Sequence, residues 1–465
     1  MTLFIKLLIL LWLVNFAPVL FAQVFESKWN LPVDGGNLFI DGRPLFGRNK
    51  TVRGVLAGII IGGSVGLALD FPLWLGLAAG IFSMLGDLLS SFLKRRFSFT
   101  SGDTVPGLDQ IPEGLLPFMF IAPHYSLSAG YVLQFAVVFW LGAYSGSVFL
   151  KRVLLRKPFE SYPRRIRALT RLRELLSCQI TAKPFSHILN FEDAVYYHLF
   201  MKSVFKAVGI YERGKQNALV IEKRDVTFHF GDLPPVFDGY KILFLTDLHL
   251  DGLDGLTEKA AEIINQTPVD MCILGGDFRM ETYGSFDAAL SQLRRLLPEI
   301  RAKDGILGIL GNHDCVEIVD SLRELGVTFL VNDSFSVQRD SECVWIVGAD
   351  DCHSFKAHDL ESAFSGLPLQ TFIILVSHSN EIYREALKYQ PNLFLCGHTH
   401  GGQILIPPFG PVFTHSKAPR RFCQGKWDYE GMPGYTSAGV GVSGVPVRFN
   451  SKGEVTVVTL KRSPT

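Results

Sequence analysis

The first 150 residues contain apolar blocks too long and too continuous for a water-soluble fold. Residues 3–22 are nearly all apolar, broken only by Lys6 and Asn15. Residues 54–92 form a longer block, interrupted by Asp70-Phe71-Pro72, which reads as a hairpin between two spans. Residues 115–123 and 128–150 make a further pair, the first short enough to be partly re-entrant. A helix needs about 20 residues to cross a hydrocarbon core, so about five transmembrane segments are expected. Gly58, Gly62, Gly63, Gly66, Gly76 and Gly80 recur where helix backbones should approach closely. A mean hydropathy of +0.24 with 19% charged residues agrees, and excludes a disordered chain.

Basic residues orient these segments. Arg43, Arg48, Lys50 and Arg53 follow the first, Lys94-Arg95-Arg96 the third, and Lys151, Arg152, Arg156 and Lys157 the fifth. The positive-inside rule puts all three clusters in the cytoplasm, which five spans with an outside N-terminus satisfy. Residues 20–22 loosely resemble a signal-peptidase site, but the flanking cations favour a retained span. The expectation is a multi-pass protein of the cell membrane with everything beyond residue 150 cytoplasmic. Three parts follow: a membrane domain over 1–155, a basic juxtamembrane and helical linker over 156–224, and a second domain over 225–465. Residues 151–173 would attract anionic lipid, and 191–208 are apolar-periodic. His187, His198 and His229 have no partner motif beside them and read as structural.

Overall charge is balanced, with 45 Lys+Arg against 44 Asp+Glu, so no field favours nucleic acid as a partner. The seven cysteines all follow the hydrophobic part and none forms a C-x-x-C pair. They indicate neither a disulfide framework nor a cysteine zinc site, and suggest a reducing compartment.

From residue 240 short apolar runs recur, each followed by a polar cluster. Residues 242–245 precede Thr246-Asp247-Leu248-His249; 271–274 precede Gly275-Gly276-Asp277; 306–310 precede Gly311-Asn312-His313-Asp314. Residues 344–347 precede Gly348-Ala349-Asp350; 372–376 precede Ser377-His378; 393–395 precede Cys396-Gly397-His398-Thr399-His400. With helix-like stretches at 256–265 and 288–297 between them, the runs read as buried strands. Side chains just beyond strand ends are where layered α/β folds build sites. The tips offer Asp247, His249, Asp277, Asn312, His378, His398 and His400, oxygen and imidazole donors without a thiolate. Such a set suits Mn, Fe or Zn, whereas Mg or Ca would take oxygen alone. The donors are too many for one ordinary site but suit two ions sharing a carboxylate, an arrangement that clamps a phosphate and activates a water.

A lone D-x-H or G-D-F carries almost no information; the ordered series, each member at a strand end, does. The series resembles the calcineurin-like metallophosphoesterase superfamily. The closing Gly401-Gly402-Gln403 and Gly439-Val440-Gly441-Val442-Ser443-Gly444 with Arg448-Phe449-Asn450 resemble its branch of bacterial YaeI- and YkuE-like phosphodiesterases. The resemblance implies a four-layer α/β/β/α sandwich. It implies Asp247, His249 and His400 on one metal, Asn312, His378 and His398 on the other, and Asp277 as bridge. It also implies His313 as a proton or hydrogen-bond donor at the leaving oxygen, with Asp314 orienting and polarising that imidazole. Two departures stand out: Arg279 after G-D-F, and Asn380 where S-H-x-P has proline; both point to a different pocket mouth. His353, His358 and His415 read as structural or exposed.

A membrane half on a hydrolase is often only an anchor. Here Asp87 lies near the end of an apolar span, where an ionisable group is by default functional. Asp34-Gly35-Gly36, Asp41-Gly42, Asn49-Lys50-Thr51, Gly86-Asp87 through Lys94-Arg95-Arg96, and Pro106-Gly107-Leu108-Asp109-Gln110 together resemble the CDP-archaeol synthase family, relatives of CDP-diacylglycerol synthase. That resemblance implies cytidylyl transfer from CTP to a lipid phosphate with Mg²⁺. It puts Asp87 and Asp109 on the metal, and Lys50, Lys94, Arg95 and Arg96 on the phosphates. Where the family has a second acid three residues after its aspartate, this chain has Pro112, with Glu113 beside it. Three functions follow: a membrane-tethered phosphoesterase acting on a lipid-linked ester, a bifunctional enzyme with an active CDP-lipid synthase half, or a non-catalytic membrane scaffold.

Overall fold

The computed structural model describes residues 2–25, 28–47, 49–97, 99, 105, 107–150, 168–174, 177 and 200–463. Arg48, the basic residues 151–157, His187 and His198 lie outside these. The chain forms two compact units, Met1–Arg156 and Lys157–Thr465.

The first unit is helical: α1 (Leu3–Phe25), α2 (Val52–Ala68), α3 (Leu73–Arg96), α4 (Gln110–His124) and α5 (Ala129–Phe149). Among the described residues, α1, α3 and α5 are long and apolar enough to cross a membrane, whereas α2 is apolar but shorter. The expected five segments are thus five helices with three candidate spans. α4 stops at 15 residues and carries Pro117 and Pro123 inside it, which accounts for the short run of the sequence. Thr51 starts α2 by accepting the Gly54 N–H at 3.1 Å. α2 and α3 pack through glycine: a Cβ on Gly62 would lie 2.5 Å from the Gly76 carbonyl oxygen.

The second unit contains two six-stranded sheets. One is built from β1 (Ile221–Phe230), β2 (Lys241–Leu245), β3 (Met271–Leu274), β4 (Ile306–Gly308), β5 (Val327–Phe329) and β14 (Gly453–Arg462), in the order β1-β14-β2-β3-β4-β5. The other is built from β6 (Asp333–Arg339), β7 (Glu342–Gly348), β8 (Phe372–Val376), β9 (Leu393–Cys396), β12 (Gly425–Tyr429) and β13 (Met432–Thr436), in the order β12-β13-β9-β8-β7-β6. β10 (Leu405–Ile406) and β11 (Gly410–Pro411) form a separate ribbon.

Side-chain alternation explains why these strands read as continuous apolar runs. Ile242 and Phe244 of β2 face the second sheet, meeting a core with Ile346, Ile374 and Leu395. Their neighbours Leu243 and Leu245 point outward, under the helices Leu256–Ile264 and Asp287–Leu296. Val347, Leu375 and Phe394 of the second sheet point outward in turn, beneath Leu360, Tyr383 and Ala386. The central strands β3, β8 and β9 are covered on both faces, so every position in them is apolar. The result is the expected helix, sheet, sheet, helix layering. Residues from 200 onward already pack into this unit: Met201, Phe205 and Tyr211 join Val445 and Val447 in a small core. The cysteine spacing indicates no disulfide framework, and five of the cysteines are free, but Cys315 is disulfide-bonded; pairing follows proximity in space, which spacing along the chain does not encode.

Candidate metal centre

Five strands end at one place. β2, β3 and β4 deliver Asp247 with His249, Asp277, and Asn312 with His313; β8 and β9 deliver His378, and His398 with His400. The turns that do this are unusual. Asp247, His249, Asp277, His398 and His400 all have positive φ, between 40° and 71°. Left-handed backbone at a non-glycine residue costs on the order of 1–3 kcal/mol and persists where the surroundings over-determine it. Here the Asp247 N–H donates to the Gly276 carbonyl at 3.0 Å and the His249 N–H to the Asp277 carbonyl at 3.1 Å. Glycines admit the close approach. A Cβ at Gly311 would lie 2.2 Å from Asp277 Oδ1, and one at Gly397 2.3 Å from Asp247 Oδ2.

Asp277 is central. Its Oδ2 lies 3.2 Å from His378 Nε2, 3.6 Å from His249 Nε2 and 3.8 Å from His313 Nε2. Asp247 Oδ1 lies 3.4 Å from His400 Nε2. The donor atoms of Asp247, His249 and His400 all fall within 4.8 Å of one another, as do those of Asp277, His378 and His398. Both triads can hold a metal ion. The unsatisfied atoms fit that use: His249 Nε2, His378 Nε2, His400 Nδ1 and Asn312 Oδ1 are buried without a hydrogen-bond partner. Leaving such atoms bare in a dry site is costly, so a cation among them removes a penalty. The rings are oriented for it. His249 Nδ1 contacts the Arg279 carbonyl at 2.6 Å and His378 Nδ1 the Gly275 carbonyl at 2.8 Å, so each Nε2 faces inward as a lone pair. His398 is turned the other way, its Nε2 on the His415 carbonyl at 2.8 Å, which leaves Nδ1 for the centre.

The electrostatics demand positive charge. Burial pushes Asp247 up to about 6 and His249 down to about 3. Burial alone would raise Asp277 as well, but His378, His313 and His249 hold it well below the ordinary carboxylate range. A cavity of about 520 Å³ opens over the centre, lined by Asp277, Asn312, His313, His353, His398 and His400 among others.

Asp314 does not orient His313. Its carboxylate accepts the backbone N–H groups of Asp277 at 2.7 Å, Phe278 at 2.9 Å and Gly311 at 2.9 Å. The His313 ring is held instead by the Met280 carbonyl, 2.6 Å from Nδ1, with Nε2 toward Asp277. Asp314 follows His313 in sequence, but the tight turn points it back under the Gly276–Phe278 loop.

In the membrane unit, Lys50 Nζ contacts Asp87 at 2.5 Å, Lys94 Nζ contacts Asp109 at 2.7 Å, and Arg96 Nε contacts Asp41 at 3.2 Å. Arg96 also donates to the Pro44 carbonyl and lies over the Phe39 ring, so it braces the 39–44 loop. Arg95 donates to the Phe99 carbonyl. Glu113 lies beside Asp87, near Lys50 and Asp109. Gly86 makes this possible, because a Cβ there would sit 2.3 Å from the Pro112 carbonyl oxygen.

Residues 240–402 match the calcineurin-like phosphoesterase family model. The metallophosphoesterase YkuE of Bacillus subtilis is 31% identical over 252 residues, 52% of this chain and 86% of YkuE. The phosphodiesterase YaeI of Escherichia coli is 30% identical over 236 residues, 48% of this chain and 82% of YaeI. The chain belongs to the calcineurin-like phosphoesterases. It is a phosphoric ester hydrolase by that membership, and the family uses divalent metals. Residues 1–147 match the CDP-archaeol synthase family model. The CDP-archaeol synthase of Staphylothermus marinus is 34% identical over 123 residues, 25% of this chain and 66% of that protein. This phosphoesterase domain is therefore fused to a CDP-archaeol synthase-like membrane domain.

Three residues of this phosphoesterase do more than the sequence reading assigned them. His353, read there as structural, lines the cavity; its Nδ1 is 3.0 Å from Glu381 Oε1 and its ring 4.4 Å from that of His398. No motif announces it, although it stands three residues beyond the Gly348-Ala349-Asp350 strand tip. Arg279 is buried and donates to the His313 carbonyl at 2.5 Å and the Thr282 carbonyl at 3.0 Å, locking the loop that carries the acid candidate. Asn380 donates to the Phe422 carbonyl and accepts from Ser416, tying down the 413–422 loop in a way proline cannot. His358 contacts Glu385 at 3.3 Å, away from the centre.

Proposed function

We propose that this chain hydrolyses a lipid-linked phosphate ester at the cytoplasmic face of a membrane, using two divalent ions held by Asp247, His249, Asp277, Asn312, His378, His398 and His400. The convergence of these donors, with four of their buried atoms lacking a hydrogen-bond partner, carries the reading. The imidazole-rich set favours Mn, Fe or Zn. Bound ions would supply Lewis-acid polarisation of a phosphoryl oxygen and an acidic water. The residues of the chain do the rest. The Arg279 and Gly275 carbonyls fix the tautomers of His249 and His378. Asp277 holds the middle of the site as a carboxylate. His313 presents Nε2 at the cavity wall, 3.8 Å from Asp277, placed to give a proton to the leaving oxygen.

Two observations support a lipid-linked ester. The same chain carries three helices able to cross a membrane, and fusion to them gives the site a high local concentration of membrane-borne substrate. The partner domain resembles enzymes that handle lipid phosphates. The test is phosphate-ester cleavage by the full chain on vesicle-embedded phospholipid or CDP-lipid, set against a soluble phosphodiester. A clear preference for the soluble ester under matched conditions would end the lipid reading.

A second activity, cytidylyl transfer from CTP, is favoured by Glu113. It reaches Asp87 although the family's position for the second acid is Pro112. Asp87, Asp109 and Glu113 are all oxygen donors, the ligand type Mg²⁺ takes, and Lys50 and Lys94, which pair with Asp87 and Asp109, are cations a triphosphate could recruit. CTP-dependent, Mg²⁺-dependent formation of CDP-lipid tests it, with Glu113→Gln expected to abolish the product.

A further inference from the structure

The ribbon of β10 and β11 carries apolar side chains into solvent. Phe409 is 83% exposed, Ile406 52%, Val412 40% and Phe413 39%. Single exposed apolar residues are ordinary, but a cluster on one short projection marks a contact surface. The projection is firmly built. Leu405 donates to the Phe449 carbonyl, Val412 donates to the Ile404 carbonyl, and Asn450 donates to the Leu405 carbonyl at 2.9 Å. Pro411 lies against Gly402, where a Cβ would sit 2.1 Å from it.

This tip stands at the rim of the catalytic cavity. Phe413 has its ring 6.1 Å from that of His415, which lines the cavity and holds His398 through its carbonyl. The helix Lys202–Ala207 shares the ribbon's footing, with Phe205 stacked on Phe449 at 5.7 Å and Val204 and Val208 left exposed. Residues 404–424 contain no Asp or Glu but carry Lys417, Arg420 and Arg421, all exposed.

We propose that the ribbon is a membrane-docking wedge: Ile406, Phe409, Val412 and Phe413 enter the interfacial layer of the bilayer, and Lys417, Arg420 and Arg421 meet anionic headgroups. An apolar tip followed by cations, in a segment without acids of its own, suits such a surface. The bilayer is the occupant because the same chain carries three helices long and apolar enough to cross one, which tethers this unit to it. Docking brings the cavity mouth onto the lipid surface; that consequence rests on the lipid-substrate reading, whereas the docking itself does not.

The full chain is reconstituted in phosphatidylcholine–phosphatidylglycerol vesicles with brominated acyl chains, and Phe409→Trp is compared with Leu369→Trp. Leu369 is 95% exposed and lies elsewhere on the unit, between the helix Leu360–Ala363 and β8. The tryptophan at 409 should be quenched by bromine relative to the parent protein, and that at 369 should not. In parallel, Ile406→Asp with Phe409→Asp should raise KM on vesicle lipid by about ten-fold or more, leaving turnover of a soluble phosphodiester unchanged. Equal quenching at both positions, or none at 409, overturns the wedge. So does self-association of the parent that the Asp variant abolishes, which would make the ribbon an interface between copies. Quenching at 409 without any lipid hydrolysis would sink the lipid-substrate reading and leave the docking standing.

Discussion

Replacing His313 by alanine separates proton donation from metal holding. A backbone carbonyl, that of Met280, fixes the His313 ring at Nδ1, while Nε2 faces the proposed ligand Asp277. Its loss removes a general acid, worth roughly 10²–10⁴-fold, or about 2.7–5.4 kcal/mol at 1.36 kcal/mol per decade. The loss should depend on the leaving group. An alkoxide needs a proton as the P–O bond breaks, and its ester should suffer the full effect. A nitrophenolate leaves without help, and its ester should slow by less than about ten-fold. The assay is kcat on an alkyl and a nitrophenyl phosphodiester with the same metal loading, verified by elemental analysis. Equal slowing of both esters, or loss of metal, would refute the acid role and make His313 an electrostatic or ligand residue.

Asp277→Ala should abolish hydrolysis and lower bound metal, because one carboxylate faces His249, His313 and His378 at once; full activity with intact metal content would contradict this. Asp314→Asn should destabilise the phosphoesterase unit by about 2–4 kcal/mol, since an amide cannot accept all three backbone N–H groups that the carboxylate does; an unchanged unfolding midpoint would show the contacts to be dispensable. Glu381→Gln should raise KM more than it lowers kcat, by loosening the His353 ring that lines the cavity; a pure kcat loss would count against that positioning role.

The proposed ligands could be read from sequence because the chemistry sits at strand ends, where spacing within each motif fixes geometry. D-x-H, G-N-H-D and G-H-x-H each put their side chains on one short turn, and the order of strands does the rest. Roles that depend on where a loop doubles back could not be read. Asp314 lies beside His313 in the chain but turns beneath Asp277, while the ring finds a carbonyl from Met280. His353 arrives from the segment after β7 and meets Glu381 from the segment after β8, a pairing that only the sheet order creates. The pairing of β1 with β14, residues 221–230 against 453–462, joins strands more than 200 residues apart and carries no local signal. In the membrane unit Pro112 looked like a lost acid. The close packing at Gly86 sets Glu113 beside Asp87, a proximity that a linear motif cannot show.

The central claim is a two-metal centre in which Asp277 is shared. Anomalous diffraction from crystals of the full chain grown with Mn²⁺ tests it most directly. Two peaks are predicted, one among Asp247, His249 and His400 and one among Asn312, His378 and His398, both within reach of Asp277. A single peak, or two that do not share Asp277, would contradict the account.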